Sequence, residues 1–322
     1  MSPWGKNTLS PCDVQGVRQV YGAQGGIPKP PFVGYKSNNT LNQFTLTGST
    51  NGTSFQSPAV TFSGLAFQDS PALAVFNNKL YAAFRANDAG NMLFVTSSSD
   101  GNNFQVPARG YSGIQFQGSP AMAAFNGRLY IAFRANDASN TLFMTSSAEG
   151  VNFETPARGY FGIQLQGNPS LAVFNNKLYV AYRSNDGSNN LNVAATSDGL
   201  NFQAPVTYSG LKFQDSPSLA AFNGRLYVAF RANDTSNILF VTSSADGFNF
   251  QSPARGYSGL AFQGSPSLAT FNGRLYAAFR ANDTSNTLFV TSSADGSNFQ
   301  TPATGQSGIS LANSPALVYF NP

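Results

Sequence analysis

Short runs of alternating apolar and polar residues, separated by turns rich in Gly, Asn and Ser, occupy most of the chain. In the run "LYAAFRA" (80–86), even-numbered and odd-numbered side chains would fall on opposite faces of a strand. Both faces carry apolar residues, which is typical of a sheet packed between two others. None of these runs has the spacing of an amphipathic helix. The pattern therefore predicts an all-β protein.

These runs recur with a period of 48 or 49 residues, marked by Ser-Pro or Asn-Pro pairs. The pairs begin at Ser70, Ser119, Asn168, Ser216, Ser265 and Ser314. The five full repeats are 70–118, 119–167, 168–215, 216–264 and 265–313. The sequence of each repeat predicts four strands, with a tight "NNK" or "NGR" turn after the first of them. In the repeat 70–118 the four strands are "SPALAVF", "LYAAFRA", "NMLFVTSS" and "NFQVPARGYSG". Four strands per radial repeat are typical of a propeller blade.

The two ends of the repeat region predict how the ring closes. Residues 314–322, "SPALVYFNP", match a first strand with nothing after it, and residues 31–64 match strands two to four without a first. Joined, they complete one more blade and remove the exposed sheet edges. We therefore expect residues 31–322 to form a six-bladed β-propeller of four-stranded blades, closed by a composite blade.

Composition excludes several classes of function. The formal net charge is only +4 and basic residues are scattered, so nucleic acid is not an expected partner. A single cysteine, Cys12, and the absence of histidine exclude a disulfide framework, an imidazole zinc site and a histidine-based triad. No apolar run reaches the roughly 18 residues of a membrane span. We expect a monomer without metal or other cofactor.

Residues 9–22, "LSPCDVQGVRQVYG", stand outside the repeat. They resemble the final helix of metzincin metalloprotease domains of the astacin and matrixin type, where an LSxxDxxGVxxxYG string closes the catalytic domain. The resemblance implies that a secreted protease precedes the propeller, that residues 1–30 are its remnant helix and a linker, and that the protein is extracellular. No catalytic residue is carried over, because the chain has no histidine for an HExxH motif. An amphipathic helix that arose by chance is the alternative.

The turn "SSSDGNNF" (97–104) and its copies resemble the Asp-box, SxDxGxTW, of sialidase-like propellers. The blades are also similar to those of tachylectin-like sugar-binding propellers. The turn departs from the Asp-box by one missing residue, no Thr and Phe for Trp, and one copy has Glu149 in place of Asp. We interpret its carboxylates as scaffold groups that bind turn amides. They are Asp100, Asp198, Asp246 and Asp295.

The loop after the second strand and the blade-to-blade connection are predicted to share one edge of the propeller, opposite the Asp-box-like turn. This edge mixes guanidinium, amide, carboxylate and aromatic groups, as sugar recognition requires. The candidate ligand-binding residues are Arg85, Asn87, Asp88, Asn91, Tyr111, Arg134, Asn136, Asp137, Asn140, Tyr160, Arg231, Asn233, Asp234, Asn237, Tyr257, Arg280, Asn282 and Asp283. The alternative is structural: Arg and Asp could pair between neighbouring blades, and the Asn-Asp turn could bond to itself.

The blades are not equivalent at this edge. A "PARGY" segment occurs three times and contains Arg109, Arg158 and Arg255. Two blade-to-blade connections carry Asp69 and Asp215 where others have Gly. If the "PARGY" arginine contacts the ligand, three sites are expected rather than six.

The distribution of carboxylates disfavours catalysis. The two glutamates, Glu149 and Glu154, lie near the Asp-box-like turn, and almost all aspartates are repeated copies. A glycosidase needs an acid and a base or nucleophile in different environments. We therefore expect no catalytic residue, and a noncatalytic, multivalent, lectin-like propeller that binds glycans and targets a secreted metalloprotease. A protein-interaction or structural propeller is the alternative, and a sialidase-like glycosidase is the third candidate.

Overall fold

The computed structural model describes residues 31–321, in which all regular secondary structure is β-strand. The strands are β1 (Phe32–Lys36), β2 (Gln43–Gly48), β3 (Val60–Phe76), β4 (Lys79–Ala86), β5 (Met92–Ser98), β6 (Arg109–Phe125), β7 (Arg128–Ala135), β8 (Thr141–Ser147), β9 (Arg158–Phe174), β10 (Lys177–Ser184), β11 (Asn190–Thr196), β12 (Val206–Phe222), β13 (Arg225–Ala232), β14 (Ile238–Ser244), β15 (Arg255–Phe271), β16 (Arg274–Ala281), β17 (Thr287–Ser293), β18 (Thr304–Ser310) and β19 (Ala316–Val318). Within this range there is no helix that could cross a membrane. The helix and linker predicted over residues 1–30 lie outside the described residues.

Successive strands pair antiparallel and form one four-stranded sheet after another. In the first full repeat, β4 pairs with β3 through Gln68↔Arg85 and with β5 through Arg85↔Leu93. The chain ends meet as well, since β1 pairs with β19 through Val33↔Leu317. The predicted all-β propeller is confirmed.

The connection between sheets differs from the prediction. The sequence predicts separate fourth and first strands, whereas five of the six pairs form one continuous strand of 17 residues, such as β3 and β6; only β18 and β19 remain separate. Its first half pairs with one sheet and its last half with the next. The predicted fourth strand also begins at Arg109 rather than Asn103, because the preceding segment contains Pro107, which has no N–H to donate.

Both faces of the middle strands are buried, as predicted. Ala82 and Phe44 of the preceding sheet belong to one apolar cluster, and Ala83 and Ile131 of the following sheet belong to another. Alternate side chains of β4 therefore pack against two different neighbours.

The Asp-box-like turns join neighbouring sheets. Asp198 Oδ1 accepts the N–H groups of Leu200 and Asn201, both at 2.8 Å. Gly199, in the same turn, has a φ of +76°, and a Cβ there would lie 2.1 Å from the Tyr130 hydroxyl oxygen of the adjacent sheet. The turn is thus a scaffold contact, in agreement with the interpretation from sequence.

These turns predict a loss of stability in acid. Hydrogen bonds from the backbone N–H groups of Asn201 and Asn249 lead the contacts that hold the pKa of Asp198 and Asp246 well below the usual range. Because the folded pKa is depressed, the stabilisation is complete above the unfolded pKa of about 4 and is lost as pH falls below it. We expect the urea unfolding midpoint to hold between about pH 7 and 5 and to fall below about pH 4.

The Asp246→Asn variant is the matched control. Asn51 fills an equivalent turn, where its Oδ1 accepts the N–H groups of Thr53 and Ser54 at 2.9 Å. The variant keeps the turn but loses one titration, so its midpoint should fall less between pH 5 and 3. An equal fall in the two proteins would contradict the assignment.

Candidate functional site

The repeated arginine is positioned by the asparagine six residues later. Arg85 Nη1 donates to Asn91 Oδ1 at 2.8 Å, and Arg134 Nη1 donates to Asn140 Oδ1 at 3.3 Å. The same contact joins Arg183 to Asn189, Arg231 to Asn237 and Arg280 to Asn286. Each asparagine has a left-handed backbone, which asparagine tolerates better than most residues. Asn91, Asn140 and Asn237, predicted as ligand contacts, therefore orient the arginine.

The Asn-Asp pairs of the same loops face solvent. Asp88 Oδ1 accepts the N–H of Gly90 at 2.8 Å, and Asp137 Oδ1 accepts that of Ser139 at 2.8 Å. These bonds shape the turn, as the structural alternative predicts, but leave one carboxylate oxygen outward. The exposed predicted residues are Asn87, Asp88, Asn136, Asp137, Asn233, Asp234, Asn282 and Asp283.

The predicted tyrosines are not free to stack on a ligand, which corrects that part of the prediction. Tyr111 and Tyr257 are buried, and the Tyr257 hydroxyl donates to the Ser297 carbonyl of the next sheet at 2.6 Å. Tyr160 is half-buried and lies edge-on to Phe202 at 5.0 Å. The strand register is the cause: Tyr111 pairs with the core residue Leu93, so it faces the neighbouring sheet.

The "PARGY" arginines also connect sheets. The Arg109 guanidinium lies 5.6 Å from the Tyr111 ring centroid, and its Nη2 donates to Asn152 Oδ1 of the next sheet at 3.0 Å. Arg158 and Arg255 lie over Tyr160 and Tyr257 in the same way. Their presence in three repeats is accounted for by this packing.

Three equivalent pockets lie beside the exposed Asn-Asp pairs. The first, of about 420 Å³, is lined by Asn136 and Asp137 together with Phe133, Phe143 and Gly113. Its counterparts, of about 340 and 300 Å³, contain 233–234 and 282–283. An aromatic wall with an amide and a carboxylate at its edge has the composition of a sugar subsite. We call these the edge pockets.

The Ser-Pro and Asn-Pro segments surround a further cavity of about 160 Å³, here called the axial cavity. It is lined by residues 70–73, 119–122, 168–171, 216–219, 265–268 and 314–317. Side chains at this level bridge neighbouring sheets: Ser70 N–H donates to Ser119 Oγ at 2.9 Å and Ser119 N–H to Asn168 Oδ1 at 2.8 Å. The paired residues that mark the repeat in the sequence thus connect the sheets around the axis.

Two carboxylates lie where long strands reach the axial cavity. Asp69 directly precedes Ser70, which lines the cavity. Its Oδ2 accepts a hydrogen bond from Arg85 Nε at 2.9 Å, and Asp215 Oδ2 accepts one from Arg231 Nε at 2.8 Å. Their side chains are 35% and 37% exposed. The arginine thus pairs with an aspartate sixteen residues earlier in its own sheet, and not with the turn aspartate that the sequence suggested.

Six cations, one from each sheet, form a chain of neighbouring charges beside these two carboxylates, and we call this group the cationic mouth. They are Lys36, Arg85, Arg134, Arg183, Arg231 and Arg280. Burial lowers the pKa of Lys36, Arg134, Arg183 and Arg280. Neighbouring charges shift these values as well: Asp215 raises the Arg183 pKa, whereas Arg134 and Arg231 lower it. Asp69 and Asp215 are the carboxylates among these interacting charges. The group is therefore strongly positive.

The prediction from sequence omitted four residues of this mouth. Lys36 and Arg183 stand in the variant strings "YKSNN" and "YRSND", which differ from the common "FRAND". Asp69 and Asp215 differ visibly from the glycines of other repeats. These differences between repeats were the sequence signal for the four residues. Only the pairing of β3 with β4 and of β12 with β13, however, brings each aspartate to its arginine.

No protein-family model and no curated protein matches the chain. Solved structures do match. An α-L-arabinofuranosidase of glycoside hydrolase family 43 from Clostridium thermocellum aligns with a TM-score of 0.51 and 14% identity, covering 76% of this chain and 95% of that one. A family 43 arabinoxylan arabinofuranohydrolase from Bacillus subtilis gives 0.51 and 14%, covering 77% and 67%. A protein of unknown function from Dyadobacter fermentans gives 0.58 and 13%, covering 85% and 87%.

The shared fold is a β-propeller. At these identities the likeness is one of fold. It nevertheless overturns the expectation of a noncatalytic, lectin-like propeller that targets a protease, and with it the expectation that the propeller is not an enzyme. The two propellers of stated activity described above are glycoside hydrolases.

Proposed function

We propose that this chain is a propeller glycoside hydrolase that acts at the cationic mouth, with Asp69 and Asp215 as its two working carboxylates. The observation that carries the proposal is their backbone. Both aspartates have a left-handed conformation, with φ of 55° and 59°. The equivalent positions 118, 167 and 264 are glycine, with φ between 70° and 83°. Aspartate adopts this conformation less freely than glycine, although more readily than most residues, and residues held in it cluster at functional sites.

The placement of the two groups suits hydrolysis of a glycosidic bond. That reaction uses one carboxylic acid to protonate the leaving oxygen and one carboxylate as base or nucleophile. Asp69 and Asp215 belong to sheets on opposite sides of the axial cavity, since two other sheets separate them in chain order. A sugar in the mouth would contact one carboxylate from each side. Arg85 and Arg231 fix the two side chains. The other cations nearby differ, since Lys36 and Arg134 interact with Asp69, whereas Arg183 and Arg280 interact with Asp215.

The edge pockets supply further subsites in this proposal. Asn136 and Asp137, with their counterparts at 233–234 and 282–283, lie exposed beside aromatic side chains. They would hold additional units of the glycan while one unit occupies the mouth. The ligand-contact role predicted for these loops is kept here as part of the proposal.

The proposal includes a closed ring of six blades. The pairing of β1 with β19 and the lining of the axial cavity by six equivalent segments support it. A preceding secreted protease, with residues 1–30 as its remnant, and an extracellular location are also proposed, on the resemblance of residues 9–22 alone.

The test is hydrolysis of 4-nitrophenyl α-L-arabinofuranoside, 4-nitrophenyl β-D-xyloside, arabinoxylan and a xylan that carries uronic acids. The first three follow the activities named for the similar structures. We expect Asp69→Asn and Asp215→Asn each to lower kcat by about 10²–10⁴-fold, because each removes a proton-transfer group. Asp246→Asn, in an Asp-box-like turn, should retain full activity.

The two nitrophenyl glycosides also show which aspartate is the general acid and which is the base or nucleophile. Loss of the general acid should impair a nitrophenyl substrate less than a polysaccharide, because nitrophenolate leaves without protonation; loss of the base should impair both. Absence of hydrolysis by folded protein on every substrate, or full activity in both variants, would refute the proposal.

A further inference from the structure

Three arginines of the cationic mouth lack the carboxylate that their counterparts have. Asp69 binds Arg85 along the edge formed by Nε and Nη2, and Asp215 binds Arg231 along the same edge. At Arg134, Arg183 and Arg280 the aspartate is replaced by Gly118, Gly167 and Gly264. The Nε atoms of these three are buried and have no hydrogen-bond partner among residues 31–321.

A buried guanidinium edge without an acceptor is costly, because a charged donor loses its water without gaining a partner. Nη1 of Arg134 and of Arg183 is held by asparagine, so the group cannot turn its Nε edge to solvent. At the equivalent positions Arg85 and Arg231, a single carboxylate satisfies this edge by accepting from both Nε and Nη2.

Arg134 and Arg183 are the strongest of these positions as a ligand site. They belong to adjacent sheets, and the Arg134 charge acts on the pKa of Arg183. The two ion pairs flank them, Arg85–Asp69 on one side and Arg231–Asp215 on the other. An oxyanion between Arg134 and Arg183 would thus meet two unneutralised guanidinium groups at once.

We propose that Arg134 and Arg183 bind the carboxylate of an acidic sugar at the cationic mouth, where it would neutralise the two guanidinium groups as Asp69 and Asp215 neutralise the neighbouring arginines. The sugar identity rests on the proposed function, whereas the anion site rests on the arginines themselves. The substrate of the hydrolase would then be a glycan that carries uronic acid rather than a neutral one.

Isothermal titration with glucuronate and with glucose tests the site, because the two sugars differ in one carboxylate. We expect glucuronate to bind at least about ten times more tightly than glucose at low salt, and 0.5 M NaCl to remove most of the difference by screening. Arg183→Gln and Arg134→Gln should each weaken glucuronate binding about tenfold or more. Arg183→Lys, which keeps the charge but not the fork, should restore part of it. Circular dichroism and the thermal midpoint confirm that each variant is folded.

Gly264→Asp is the matched control for the placement. A Cβ at position 264 meets Ser314 Oγ at 2.6 Å, and Asp69 has an equivalent serine neighbour, since Ser119 Oγ accepts Ser70 N–H. The variant supplies Arg280 with an internal carboxylate and leaves Arg134 and Arg183 unchanged. Unchanged glucuronate affinity supports the placement; a loss as large as that of Arg183→Gln would overturn it.

Three further results are decisive. Equal affinity for glucuronate and glucose would overturn the inference. So would a glucuronate affinity that stays unchanged in Arg134→Gln and Arg183→Gln. Inorganic phosphate that binds more tightly than glucuronate would overturn the acidic-sugar class. Arginine-dependent glucuronate binding without hydrolysis of any glycan would refute the proposed activity but leave the anion site standing.

Discussion

Phe230→Ala is expected to lower the free energy of unfolding by about 3–5 kcal/mol, since it removes a buried aromatic ring and leaves a cavity. Phe230 is 2% exposed, and its ring centroid lies 5.3 Å from that of Phe213 and 6.0 Å from that of Phe240. Comparable ring pairs occur in other repeats, such as Phe116 with Phe133 at 5.2 Å. Urea denaturation followed by far-ultraviolet circular dichroism measures the loss.

Phe161→Ala is the control, because the same atoms are deleted from a side chain that is 80% exposed. Its free energy of unfolding should stay within about 0.5 kcal/mol of the parent protein. If Phe230→Ala lost less than about 1 kcal/mol, well below the usual cost of such a deletion, the packing of its sheet against the preceding one would be contradicted.

The propeller was predictable because its local signals agree with one another. The alternation in "LYAAFRA" assigns Ala82 and Ala83 to opposite faces, and the clusters confirm that both faces are buried. Turn chemistry agreed too, since Asn126 and Gly127 of an "NGR" turn both have positive φ, as a tight hairpin requires. What alternation could not show was that β6 runs without interruption from one sheet into the next. Its bend at Gly118 looks in sequence like a loop.

The candidate site was only partly predictable, for a related reason. Arg85 was identified, but the structural alternative paired it with an aspartate of a neighbouring blade and not with Asp69, which the β3–β4 pairing brings to the guanidinium. Tyr111 was taken as a ligand contact because it is an aromatic residue of the blade-to-blade connection. Its orientation depends on its register against Leu93, which sequence alone does not give.

A single backbone position accounts for most of the variation at the mouth. Each of the five long strands has a left-handed residue where it reaches the axial cavity, as at Asp69, Gly118 and Asp215. Glycine takes that conformation freely and aspartate takes it at a cost. Exchange between the two residues switches the adjacent arginine between a neutralised and an open state without altering the scaffold. One repeated fold can in this way carry proposed catalytic and anion-binding positions side by side.

Gly247→Ala is expected to destabilise the protein through two separate effects. Gly247 has a φ of +86°, where alanine costs about 1–2 kcal/mol, and a Cβ there would lie 2.3 Å from the Tyr179 hydroxyl oxygen. Tyr179 is 1% exposed, and its hydroxyl donates to the Asp246 carbonyl at 3.2 Å, so the ring has little room to move. Overpacking of this kind adds about 1–3 kcal/mol.

Gly224→Ala separates the two effects, because Gly224 has a φ of +67° and a Cβ added there would meet no neighbouring atom within 4 Å. It should show the conformational cost alone, so the unfolding free energies of the two variants should differ by about 1–3 kcal/mol. That difference measures the contact between a turn of one sheet and the tyrosine of its neighbour. Equal losses in the two variants would mean that Tyr179 yields to the methyl group, and that the turn does not hold the sheets in register.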